Sequence, residues 1–186
     1  FELIVTDNGS TDGTKEYLED LLSRHQNMTL IRHEDNQGFI KPMNLAFEIA
    51  SRIKAPYFVC LNNDTVPPVG WLDALAVPLD KHYKAALSGP AGGCNMINEG
   101  FFGCHGNHTE YLEGSCLMVK TRVVAMYGPL FSGYLSFAYG EDSDLSLRML
   151  EKGYSIYKVP IDVPHTDRSG TIRNDPKLQE SSRASF

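Results

Sequence analysis

No stretch of this chain is long and apolar enough to read as a membrane span; none approaches the ~18 residues such a helix needs. No signal-peptide pattern opens it. No surplus of positive charge is present either. Seventeen Lys and Arg stand against 23 Asp and Glu, a formal net charge of −6. That argues against a nucleic-acid partner, which calls for a basic face. Cysteine is scarce, and the four present, Cys60, Cys94, Cys104 and Cys116, form no Cys-x-x-Cys pair. The last three could be combined with His105 into a zinc site, but the spacing fits no standard pattern, and reduced, partly buried thiols are the simpler reading. There is no internal repeat. A Gly-rich, basic phosphate loop near the start is also missing. Asn-x-Ser/Thr sequons occur at Asn8, Asn27, Asn63 and Asn107. Two of them fall inside the motifs described below, where a glycan would block the site, so they read as chance matches in a cytoplasmic protein.

What is present is an ordinary globular composition. The 186 residues, 42% hydrophobic and 22% charged, amount to about one domain with a real core. Strand-like runs at 2–6, 28–32 and 57–61 alternate with helical patterns after residue 14 and from Pro42 to Arg52. Such alternation predicts a mostly parallel sheet flanked by helices, an α/β fold. A helix is expected near Trp71–Leu79, a strand at Ala85–Ser88, and a loop or ragged hairpin over 89–110. Leu112–Val119 reads as a strand, Thr121 as the cap of a short helix to Tyr127, and 128–140 as an aromatic loop. Glu141–Lys152 reads as an amphipathic helix stopped by Gly153. Ser155–Val159 reads as a last strand. The tail from His165 is polar and is expected to be mobile. The chain opens inside a strand-like run, so a first element of the domain is expected to be missing, leaving 1–186 as one N-terminally truncated domain.

Four groups of residues carry chemistry. Asp64 closes the apolar run Tyr57–Leu61 behind Asn62 and Asn63. An acid at the carboxyl end of a strand is poorly placed for packing, and it is well placed for a metal-bound phosphate in the crevice of an open α/β sheet. A hard divalent cation takes one or two carboxylates plus substrate phosphates; a turn that merely closes the strand is the plainer alternative. Asp7-Asn8-Gly9-Ser10 can accept from a base or ribose, or simply form an Asx-turn. Gly140-Glu141-Asp142-Ser143-Asp144 heads a helix, where negative charge complements the helix dipole; one of its carboxylates could also serve as a general base. Asp144 and Arg148 could pair on the surface. His165 is either a structural histidine or a metal or diphosphate contact.

Taken in order, these segments resemble the inverting family 2 glycosyltransferases of the GT-A, Rossmann-like fold, nearest their rhamnosyltransferase-like branch. The resemblance runs through Val5–Thr14, Asn36-Gln37-Gly38-Phe39 with Asn44, Leu61-Asn62-Asn63-Asp64, Gly114–Met118 and Gly140–Arg148. It implies nucleotide contacts at Asp7, Asn8, Gly38, Asn44 and Asn63. It also implies donor-sugar or acceptor contacts at Gly114, Ser115 and Glu141, a catalytic base at Asp142, and Mg²⁺ or Mn²⁺ at Asp64 with His165. The implied partners are a nucleotide-diphosphate sugar and a glycan or lipid-linked acceptor, with no nucleic acid. The setting would be polysaccharide biosynthesis in the cytoplasm, with peripheral association at the inner membrane face. Two departures stand out. The usual opening strand is absent, and the Asp-x-Asp motif is Asn62-Asn63-Asp64, one carboxylate short. A non-catalytic nucleotide-sugar-binding module and a nucleotidyltransferase on a related sheet remain as alternatives.

Overall fold

A computed structural model of the chain describes residues 1–93, 110–133 and 140–166. The imagined zinc ligands Cys94, Cys104 and His105, most of the 89–110 segment, the aromatic loop at 134–139 and the chain beyond 166 lie outside those residues. Eight strands and five helices are described. β1 (Leu3–Asp7) and β2 (Met28–Arg32) flank α1 (Thr14–Arg24), and α2 (Ile40–Arg52) leads to β3 (Tyr57–Leu61). Then come α3 (Trp71–Lys81), β4 (Ala85–Gly89), β5 (Gly92–Gly93), β6 (Tyr111–Leu112) and β7 (Cys116–Lys120). The last elements are α4 (Thr121–Ala125), α5 (Glu141–Glu151) and β8 (Ser155–Lys158).

The expected α/β alternation is present, and the sheet is more mixed than the alternation suggested. β1 and β2 are parallel, as are β4 and β8. β7 lies between β3 and β4 and is antiparallel to both, in the order β3-β7-β4-β8. The apolar run 57–61 gave no hint of this, because a strand buried on both faces reads the same in either direction. Residues 112–119 do not form one strand. Tyr111–Leu112 pairs with Gly92–Gly93, a turn over Glu113–Ser115 follows, and β7 starts at Cys116. Thr121 is the buried first residue of α4, with Lys120 at the cap position.

Alternation along the strands divides the core. Phe58 and Cys60 of β3 and Leu117 and Val119 of β7 face Ala46, Phe47 and Ala50 of α2 and Leu145 and Met149 of α5. Cys116 and Met118 point the other way, onto Leu75 and Leu79 of α3. Trp71 packs on that second cluster, as a packing residue would. The result is a three-layer sandwich with helices on both sheet faces. β3 and β7 run side by side with Leu61 opposite Cys116. This register places the Asn62–Asp64 turn beside the Glu113–Ser115 turn.

The tail is not loose at its start. Thr65 and His165 form an isolated bridge. Val66 N donates to Pro164 O at 3.0 Å, and Thr166 N to Asp64 O at 2.6 Å. His165 and Thr166 are therefore anchored, because their backbone groups complete those of the turn after β3.

Candidate active site

The turn at the end of β3 is built by backbone bonds. Asn62 N donates to Ser115 O at 2.9 Å, one step beyond the β3–β7 ladder. Thr65 closes the turn through its hydroxyl, which donates to Asn62 O at 2.6 Å. Asn63 is exposed in that turn. Asp64 has its Oδ1 buried with no hydrogen-bond partner among the described residues. His165 Nε2 stands 4.0 Å from that oxygen. This is too long for a hydrogen bond, and it is within the span of two ligands held at about 2.1 Å by one ion. A buried carboxylate oxygen without a donor is costly unless something else satisfies it. The donor chemistry here, one carboxylate and one imidazole, fits Mn²⁺ or Mg²⁺ completed by ligands from a substrate.

Across the Asn62–Ser115 bond lies Asp142, on the first turn of α5. Its Oδ2 accepts from Gly114 N at 3.0 Å. Its Oδ1 accepts from Ser143 N at 2.7 Å and from the Ser143 hydroxyl at 3.3 Å. Donors on both oxygens fix the carboxylate in one orientation. Gly114 is buried against it; a Cβ there would stand 3.5 Å from Asp142 Cβ and 3.8 Å from Glu141 Oε1. Gly114, Ser115 and Asp142 thus form one unit, hydrogen-bonded to the turn that carries Asp64. The two acids, 78 residues apart in sequence, share one edge of the sheet. Glu141, expected beside the donor sugar, is only 8% exposed, with its Oε1 against Gly114. Burial raises the Cys60 thiol pKa well above its ordinary value, and the nearby Glu141 carboxylate and then Cys116 add to the shift.

Tyr111 belongs to this group and carries no motif that could have marked it. Burial raises its phenol pKa, and the carboxylates of Glu113 and then Asp142 raise it further. Its ring lies close to Gly93 of β5, where a Cβ would come within 2.7 Å of it. The packing of β6 on α5, where Leu112 N donates to the Ser146 hydroxyl at 3.1 Å, brings it near Asp142, so nothing local in the sequence could have revealed it.

Asp7, Asn8 and Gly38 form a separate group. Asn8 Nδ2 donates to Gly38 O at 2.8 Å. Gly9, at φ +84°, sits so close to the next loop that a Cβ would be 2.7 Å from Glu34 O. Gly38, at φ +75°, donates its N–H to Asn36 Oδ1 at 2.9 Å. Asp7 is buried, accepts from Ser10 N at 3.0 Å on one oxygen, and is paired with Arg32 on the other. Burial opposes its charge, but the Ser10 hydrogen bonds and the Arg32 guanidinium outweigh it and hold the pKa below the usual 3.8. The sequence reading did not single out Arg32, although the parallel register places it directly opposite Asp7.

That lowered pKa gives a testable pH dependence. A carboxylate whose folded pKa lies below its unfolded value contributes stability that is complete above the unfolded value and lost as pH falls through the folded one. In Arg32→Met the acid limb of the stability curve should therefore move up toward pH 3.8. Arg32 is one-third exposed, so screening limits the cost at neutral pH to about 1–2 kcal/mol. Urea unfolding across the acid range measures both, and an unmoved acid limb would contradict the pairing.

Asn44 belongs to none of these groups. Both ends of its amide bond one distant residue: Nδ2 donates to Phe131 O at 2.9 Å, and Oδ1 accepts from Phe131 N at 2.8 Å. Arg148 stands 3.7 Å from the Asp144 carboxylate, the expected pair, but largely buried, at 17% exposure, and not on the open surface. It donates to Pro129 O at 2.8 Å and Leu130 O at 2.6 Å, while Asp144 accepts from the Ser132 hydroxyl at 2.5 Å. Residues 129–132 are thereby pinned between α2 and α5. A cleft of about 520 Å³ beside α2, lined by Lys41, Asn44, Glu48, Ser51 and Pro129 among others, adjoins this clamp and holds none of the candidate acids.

The pattern of glycosyl transferase family 2 matches residues 1–124. An uncharacterized glycosyltransferase of Haemophilus influenzae is 28% identical over 81 residues, 44% of this chain and 24% of that protein. The mannosyltransferase PcManGT of Pyrobaculum calidifontis, solved with GDP-Man and Mn²⁺, superposes with a TM-score of 0.68 at 17% identity over 91% of this chain and 49% of its own. GalNAc-T7, solved with UDP, GalNAc and Mn²⁺, gives 0.69 at 15% identity over 98% and 42%. TarS of S. aureus, residues 1–349 with UDP, gives 0.58 at 16% identity over 100% and 56%. The chain spans about a quarter of the curated relative and roughly half of the solved ones. Those superpositions establish the GT-A fold, and with the match over residues 1–124 this chain belongs to glycosyl transferase family 2.

Proposed function

We propose that this domain transfers a sugar from a nucleotide-diphosphate sugar to an acceptor hydroxyl with inversion, as expected of the rhamnosyltransferase-like branch. Supporting it above all is the bond between Asn62 N and Ser115 O, which ties the turn of Asp64 to the unit that orients Asp142. Asp142 takes the proton from the acceptor oxygen as that oxygen attacks the anomeric carbon, and the bond to the diphosphate breaks on the opposite face. One displacement gives one inversion. Asp64 and His165 are the residues that would hold Mg²⁺ or Mn²⁺, which offsets charge on the leaving diphosphate. Asp7 and the loop braced by Asn8, Gly9 and Gly38 face the nucleoside, with Asn63 exposed beside the diphosphate and Gly114 and Ser115 beside the sugar. The donor class is a nucleotide-diphosphate hexose or deoxyhexose. The acceptor is a glycan or lipid-linked saccharide in polysaccharide biosynthesis on the cytoplasmic side. Among the described residues no helix is long and apolar enough to cross a membrane.

The metal role has its own test. Asp64→Ala should weaken Mn²⁺-dependent binding of a nucleoside diphosphate by roughly tenfold or more, with little effect on binding in the presence of chelator. Titration calorimetry with and without Mn²⁺ reads both. Equal affinities for the variant and the parent with metal present would remove Asp64 from the site. Binding with no turnover of any donor by the complete protein would favour the non-catalytic module, which the single carboxylate of Asn62-Asn63-Asp64 also suits.

A further inference from the structure

The end of the sheet away from Asp64 and Asp142 has the opposite character. There β3 begins at Tyr57, opposite Lys120 at the close of β7. Lys120 Nζ donates to His82 O at 2.9 Å, and Ser155 N to Lys84 O at 2.8 Å. These bonds gather Lys84, Lys120 and Lys152 at one pole, with Lys54 just before β3 and Arg122 on α4. The acids beside them are Glu151 and Asp80, whose carboxylate accepts from the Tyr57 hydroxyl; Arg52 and Glu48 pair with each other. Counting Lys81 at the end of α3, bases outnumber acids here among the described residues, in a chain whose formal charge is −6.

The same pole exposes apolar surface. Tyr83 is 84% exposed, Ile53 57% and Met126 56%. Lys84 lies over the Tyr83 ring at 6.0 Å, and Lys152 over Tyr127 at 5.8 Å. Between them opens a cleft of about 320 Å³ lined by Tyr83, Lys84, Val123, Lys152, Gly153 and Tyr154. A site for a small soluble anion needs the lysines and has no use for the exposed Ile53 and Met126. A lipid–water interface uses both: rings settle at the headgroup level, short apolar side chains enter below it, and lysines meet anionic phosphate.

We propose that this pole docks on an anionic lipid surface, the cleft between Lys84 and Lys152 receiving a lipid phosphate. The docking does not depend on the transferase reading. Combined with that reading, it fixes the reach of the enzyme. The five residues of β3 span about 17 Å, so the candidate site faces away from the bilayer by at least that length. The acceptor hydroxyl it meets is then the far end of an extended lipid-linked saccharide, and not a sugar attached at the membrane surface.

Sedimentation of the full chain with vesicles tests this. The protein should bind vesicles of mixed phosphatidylglycerol and phosphatidylcholine and leave vesicles of phosphatidylcholine alone unbound. At about 1 kcal/mol per lysine, Lys84→Gln with Lys152→Gln should weaken binding about 30-fold and flatten its salt dependence. Tyr83→Ser should weaken binding and leave the salt dependence intact. Lys15→Gln, on α1, should change affinity less than about twofold. Melting curves check that each variant is folded. Equal binding to both vesicle types, absence of binding, or an unaffected lysine double variant would overturn the proposal. So would inorganic phosphate raising the melting temperature through Lys84 and Lys152 without vesicle binding, which would assign the cleft to a soluble anion. A failed transferase reading would leave vesicle binding intact and abolish transfer, so the two failures are separable.

Discussion

Asp142→Asn in the complete protein should lower transfer by about 10²–10⁴-fold, the usual contribution of a positioned general base, with donor affinity nearly unchanged. The amide keeps the size and one acceptor oxygen of the carboxylate. It cannot accept on both sides, so Gly114 N or Ser143 N loses its partner and the fold loses about 1–2 kcal/mol. The kinetic effect, about 3–5 kcal/mol in free-energy terms, is larger than this structural one, and the two separate cleanly. A purely structural acid at this position would shift the melting temperature and leave the rate per folded molecule intact. Single-turnover transfer assays beside thermal melts distinguish the cases, and a variant working at the parental rate would remove Asp142 from the chemistry.

Asn44→Leu should be the most damaging single change outside the hydrophobic core. It strips the Phe131 backbone of both a donor and an acceptor. Each unsatisfied buried group costs about 1–3 kcal/mol, so the total is about 2–6 kcal/mol. Asn44→Asp retains the acceptor for Phe131 N and should lose about half as much. Chemical denaturation reads the loss. The discriminating observation is the nucleotide affinity of the folded fraction. It should change little, because both ends of the amide are engaged by Phe131, 87 residues along the chain. A large loss of nucleotide affinity with unchanged stability would restore Asn44 to the nucleotide site, where the family resemblance puts it.

Much of the fold was readable from the chain because its signals are local. The apolar run at 57–61, Pro42 in the first turn of α2 and Gly153 at φ +78° after α5 each act within a few residues of themselves. Pairing direction and long-range polar contacts are not local. The placement of β7 between β3 and β4 depends on sheet topology, which the composition of β3 does not encode. The same division holds at the site. Asp64 and Asp142 stood out because acids at the end of a strand and the head of a helix have a characteristic place in an α/β sheet. Tyr111 and Arg32 went unnoticed because each acts across a contact between elements, β6 with α5 and β1 with β2. Asn44 and Arg148 carry contacts that stayed hidden for the converse reason. Arg148 does stand 3.7 Å from Asp144, but both it and Asn44 also bond backbone groups of 129–131, which no neighbour in sequence announces. In both cases a polar side chain on a helix met orphan backbone atoms of a distant turn, and satisfying those atoms decided its role.

The most direct test is to titrate Mn²⁺ and a nucleoside diphosphate into isotope-labelled protein and follow paramagnetic broadening of the backbone amides. If the acids at 64 and 142 border one cleft, the amides of Asp64, Thr166, Gly114 and Ser143 should broaden together, with those of Lys84 and Lys152 at the far pole remaining sharp. Broadening around Asp64 that spares Gly114 and Ser143, or broadening centred on the basic pole, would contradict a shared site.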